Sequence, residues 1–131
     1  MKLKKLCASL FLAATTLVTP FSSAFAGSWD YLGSYDFHQN SAGLYVTNIV
    51  YSTGGYFKVC AHTNVSKYYT LKEYDPDNAD DTVGTVLLSN GDCHTFYVQN
   101  FVDGTNNRAE LYVETNNYQV MWSSVDLYNW S

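Results

Sequence analysis

Glu73, Asp75, Asp77, Asp80 and Asp81 place five carboxylates within nine residues. Like charges at that density repel unless water, salt or a bound cation screens them. The chemistry such a stretch offers is oxygen ligation of a hard cation. Calcium is the expected ion, since it takes six to eight oxygens at about 2.3–2.6 Å from carboxylates and carbonyls. Glu73 and Asp75 lie two apart, so at a strand end both project to one side, and Asp81 returns across the loop to face them. Pro76, Asn78 and Ala79 shape the turn, and Asp77 and Asp80 are the outer ligand candidates. The plainer reading is a solvated turn, because Asp and Asn cap turns and Pro fixes φ. A second polar stretch, Asp103-Gly104-Thr105-Asn106-Asn107, either adds oxygens or is a hairpin turn.

Other reactive groups are few. Cys60 and Cys93 are expected to form a disulfide, as exported chains usually do. A zinc site from Cys60, His62, Cys93 and His94 is the rival, but neighbours such as Cys93 and His94 point to opposite faces of a strand. The chain carries no nucleophile elbow, no zinc-protease helix motif and no phosphate-binding loop. Catalysis is therefore not expected, and a small hydrolase built on a carboxylate pair is the weakest of the functional readings. Aromatic residues are abundant, with 12 Tyr and 3 Trp. Tyr68, Tyr74, Tyr112, Tyr118, Trp122 and Trp130 are candidates for a surface that stacks on sugar rings or meets a protein partner. The alternative is that tyrosines merely cover a small sandwich.

The elements that must position these groups lie beyond residue 26. Residues 1–26 have the layout of a secretory signal peptide: Lys2, Lys4 and Lys5, an apolar run from Leu6 to Val18, and Ala24-Phe25-Ala26 as a small-x-small cleavage pattern. The run falls short of the roughly 20 apolar residues of a spanning helix, and no second run follows. Residues 27–131 are expected to be one secreted domain. Losing the three lysines lowers the basic count from 7 to 4 against 12 acidic residues, a net charge of −8. Nucleic acid is disfavoured as a partner, because its affinity comes from Lys and Arg on phosphates.

Short strands and turn signals fill that domain. Trp29, Tyr31, Tyr35 and Phe37 alternate with polar residues. Leu44–Tyr51 and Tyr56–Ala61 flank Gly54-Gly55, which predicts a hairpin. Lys67–Tyr74, Thr82–Leu88, Cys93–Asn100, Arg108–Glu114, Tyr118–Trp122 and Val125–Tyr128 complete the set. The expectation is an all-β antiparallel sandwich of about eight strands with one disulfide, a small closed barrel being the alternative.

Residues 69–88, "YTLKEYDPDNADDTVGTVLL", resemble the third calcium-binding loop of C2 domains: an acidic-aromatic-Asp strand end, a short loop, Asp, two residues, Gly and a strand. The resemblance implies a calcium ion held by Glu73, Asp75 and Asp81. It covers the loop alone: C2 domains carry Asp where this chain has Glu73, and an earlier acidic loop for which no carboxylate stands between Phe37 and Lys72. The whole of residues 27–131 also resembles small exported proteins of Gram-positive bacteria. The functional expectation is an extracellular binding module with a calcium-stabilised acidic loop; the alternative is a metal-free interaction protein using its exposed Tyr and Trp.

Overall fold

The computed structural model describes residues 27–115 and 122–131. The expected signal peptide, residues 1–26, and most of the strand expected at Tyr118–Trp122 lie outside them. Among the described residues ten strands run in chain order: β1 Trp29–Asp36, β2 His38–Gln39, β3 Tyr45–Val46, β4 Val50–Ser52, β5 Tyr56–His62, β6 Lys67–Glu73, β7 Asp81–Leu88, β8 Cys93–Tyr97, β9 Ala109–Thr115 and β10 Ser124–Trp130. A 3-10 turn occupies Gln99–Phe101. No α-helix occurs among the described residues.

The strands form two antiparallel sheets. One has the order β1-β10-β5-β8, the other β2-β3-β9-β6-β7 with β4 also on β9. The result is the expected sandwich. Inward residues alternate along the long strands. β5 contributes Phe57, Val59 and Ala61, and β10 contributes Val125 and Leu127. From the other sheet come Tyr69 and Leu71 of β6 and Ala109, Leu111 and Val113 of β9. All ten are essentially inaccessible to solvent. Their burial is the main favourable term of the fold. A second tie crosses the sheets near the β4 end. Ser52 Oγ donates a 2.5 Å hydrogen bond to Asn129 Oδ1 of β10 and accepts one from Gly54 N–H.

Three local expectations are corrected. Trp29, Tyr31, Tyr35 and Phe37 do not share a face. A bulge between Tyr31 and Gly33 shifts the pairing with β10, and Gly33 has φ 134°. An extra residue reverses the side-chain phase of a strand. Leu32, Tyr35 and Phe37 consequently pack on the core, while Tyr31 is exposed. Second, Gly54-Gly55, with φ 111° and 71°, does not close a hairpin. It carries the chain from β4 in one sheet to β5 in the other. Third, the strand expected over Leu44–Tyr51 is broken into β3 and β4. Both pair with the same edge of β9. Between them the Thr47 N–H donates to Val113 O, while Thr47 Oγ1 accepts from the Val113 N–H, each at 3.0 Å. The hydroxyl substitutes for a backbone carbonyl and keeps the ladder satisfied through the irregularity.

Cys60 and Cys93 are direct partners in the β5–β8 ladder and are bonded, with Cα atoms 3.9 Å apart. They belong to the outward-facing set of the four-stranded sheet. The disulfide uses both cysteines of the proposed zinc set, so that set no longer exists.

Candidate functional sites

The acidic stretch joins β6 to β7 at the end of the six-stranded sheet. Alternation along β6 puts Lys67, Tyr69, Leu71 and Glu73 on the inner side. Glu73 is thus the last inward residue of a core-facing row, and only 3% of it is exposed. Asp81 opens β7 as its direct partner. Asp103, in the turn before β9, and Glu110 of β9 complete its surroundings with Asp75. Burial, and then the charges of Asp103, Asp81, Asp75 and Glu110, raise the Glu73 carboxyl to about 7. Among the described residues Glu73 makes no side-chain hydrogen bond. Tyr74 N–H donates to Glu110 O at 2.7 Å, which draws the two segments together. They enclose an open cleft of about 390 Å³ lined by Glu73, Tyr74, Pro76, Asp77, Asp103 and Glu110, among others.

The other carboxylates of the stretch are partly engaged. Asp80 Oδ1 accepts from Asp75 N–H at 3.0 Å, and its Oδ2 accepts from the Tyr112 hydroxyl at 2.6 Å. Asp75 accepts from Asp77 N–H and from the Asn78 amide. This is Asx-turn chemistry, the plainer of the two readings. Asp77 and Asp81 are exposed. Asp80 turns away to a neighbouring cleft of about 490 Å³, which also has His38, Thr47, Tyr74 and Tyr112 in its walls. Among the described residues no three His, Cys, Asp or Glu side chains stand together closely enough to hold a metal ion. Gly84, part of the loop resemblance, has a packing reason. The ring of Phe96 lies 3.0 Å from where its Cβ would be.

The aromatic candidates are dispersed. Tyr68 is exposed on the outer face of β6, Tyr74 and Tyr112 flank the acidic loop, and Trp122 is 80% exposed. Tyr118 lies outside the described residues. Among the described candidates Trp130 alone belongs to a continuous aromatic face, whose other members the sequence did not single out. That face is the outside of the four-stranded sheet. Directly opposed residues of antiparallel strands project to the same side. The pairs Trp29–Trp130, Tyr31–Tyr128 and Tyr56–Tyr97 are all such partners. Their ring centroids are 5.1, 5.2 and 5.3 Å apart. Lys58 is opposite Tyr128 in the ladder, and its Nζ lies 4.5 Å from the ring centroids of both Trp29 and Tyr128. A cation so placed is attracted by the ring faces. Tyr31, Tyr56 and Tyr97 are each at least half exposed. His62 Nε2 lies at hydrogen-bonding distance, 2.7 Å, from Asp126 Oδ2 on the same side. Asp126 is held below the usual carboxylate range: burial opposes this, but hydrogen bonds from His62, Ser34 and Tyr31 outweigh it. The aromatic partners could have been found by laying the alternation of β1, β5, β8 and β10 side by side.

The molecule is thus a disulfide-linked antiparallel sandwich with an aromatic face on one sheet and an acidic cleft at the end of the other. The chain belongs to the YndA coiled coil domain family, whose model matches residues 31–127. It is similar to the uncharacterised protein YndA of Bacillus subtilis (strain 168), 47% identical over 95 residues, which is 70% of this chain and 67% of that protein. The family description names a coiled coil, whereas the described part of the matched region is made of strands. No solved structure matches the chain. No helix among the described residues is long and apolar enough to cross a membrane.

Proposed function

We propose that this protein is a secreted binding module, without catalysis, that holds a glycan against the outer face of its four-stranded sheet. One observation carries the reading: six rings and Lys58 form a band across all four strands. The exposed aliphatics Ile49, Val65 and Leu87 lie elsewhere. Rings with polar edges suit a ligand that has C–H faces to stack and hydroxyls to bond. Lys58, the tyrosine hydroxyls and the His62–Asp126 pair supply the polar contacts. Secretion is supported by the disulfide and by the character of residues 1–26.

The test is retention of the folded protein on a panel of polysaccharides, with Tyr31→Ala and Tyr97→Ala as variants. Both side chains are largely exposed, so the variants are expected to fold and to lose binding. Retention unchanged in both, or binding to proteins and to no glycan, would overturn the reading. For the calcium ion expected at the acidic loop, the carboxylates do not converge as they stand, and binding would have to draw the two loops together. Its signature is a rise in Tm with calcium that chelator reverses.

A further inference from the structure

We propose that the cleft between the β6–β7 loop and the Asp103 turn is a socket for the guanidinium of an arginine side chain on a peptide partner. The acidic cluster alone would not carry this. Glu73 does: it is nine-tenths buried or more, lines the cleft and, among the described residues, has no hydrogen-bond partner. The charges of Asp103, Asp81, Asp75 and Glu110 crowd it, and a cationic donor entering the cleft would relieve that repulsion.

The form of the cleft selects the donor. Its carboxylates come from separate elements: Asp75 and Asp77 from the loop, Asp103 from the turn and Glu110 from β9. They surround a space and do not converge on one point. A metal ion needs convergence at about 2.3–2.6 Å. A guanidinium fans five N–H donors in a plane and meets carboxylates on several sides. It also stacks on aromatic rings, and Tyr74 supplies one at the wall. Glu110 is engaged on one oxygen by Asn106 Nδ2 at 3.2 Å, which leaves the other for a ligand. Arg108 lies in the same turn, where its backbone bridges to Asp103.

The probe is an acetylated, amidated tri-arginine peptide titrated into the full-length folded protein at low salt. Glu73→Gln and Asp103→Asn should each weaken binding by about tenfold, the scale of a lost charge-assisted hydrogen bond. Asp36→Asn, which removes equal charge from the exposed end of β1, should change it by less than about twofold. Tri-lysine should bind more weakly than tri-arginine. Equal binding of the two peptides, or an undiminished affinity in Glu73→Gln, would overturn the socket in favour of diffuse attraction. Displacement of the peptide by millimolar calcium, with a chelator-reversible rise in Tm, would overturn it in favour of a metal site.

Discussion

The phenol of Tyr112 in β9 donates a 2.6 Å hydrogen bond to Oδ2 of Asp80, 32 residues away in the chain. The other oxygen of Asp80 holds the Asp75 N–H. One carboxylate thus fixes the acidic loop to itself and to the sheet. Tyr112→Phe leaves the ring and removes that link, so it should cost about 1–3 kcal/mol, read as a shift in a urea unfolding midpoint. Burial, followed by the Asp80 bond, raises the phenol's pKa. An ultraviolet titration should therefore show a Tyr112 phenol that ionises above the ordinary range and is lost in Tyr112→Phe, while Tyr31, also raised, remains.

Glu73 sets the pH dependence in metal-free buffer. Its folded pKa is about 7 against an ordinary 4.5. A carboxyl raised on folding stabilises the protein where it is protonated, fully so below the unfolded value. That contribution is lost as pH rises through the folded value. Wild-type stability should decline between those two limits. Glu73→Gln should flatten the decline and be more stable above neutrality by about 2 kcal/mol, a figure reduced for solvent screening. Unfolding curves at acidic and alkaline pH check this. A variant that loses stability equally at both would refute the assignment.

Tyr69 sits in the core with its ring 6.0 Å from that of Phe37, and its hydroxyl has no partner among the described residues. The unsatisfied group is a liability. Tyr69→Phe removes only that oxygen and should raise stability by about 1 kcal/mol, seen as a higher Tm.

The Cys60–Cys93 bond spans 33 residues. Replacing both cysteines by serine, or adding reductant, should lower stability by roughly 3–4 kcal/mol on the chain-entropy estimate. Calorimetry of the paired and reduced forms measures it directly.

Much of the sandwich is visible in residue order. Ala109, Leu111 and Val113 alternate with Glu110, Tyr112 and Glu114, and they face inward and outward as that period requires. The disulfide partners were the only two cysteines beyond residue 26. What could not be read depends on pairing. Gly54-Gly55 reads as a hairpin because glycine conformation signals a turn and does not say which sheet follows. The bulge after Tyr31 is one residue of excess, fixed by contact with β10. At the site, the sequence marked Glu73 as acidic, and its inward phase two residues after Leu71 was there to be seen. That it would meet Asp103 and Glu110 depends on β6 lying beside β9, a pairing between residues about 40 positions apart.

Among the described strands β1 hydrogen-bonds to one neighbour only, β10. Ser28 and Ser131 exchange backbone hydrogen bonds at 3.0 and 3.1 Å, and Trp29 rests against Trp130. During synthesis β1 therefore has no ladder partner among the described strands until β10 has emerged. Closing a loop of about 100 residues costs several times the thermal energy and returns nothing until both ends meet. The central strands β5, β6 and β9 can assemble while the chain is still growing; β1 must wait. The aromatic band, which needs β1, β5, β8 and β10 side by side, is a late product of folding, and a chain stalled before Ser124 would expose a core without ever displaying that surface.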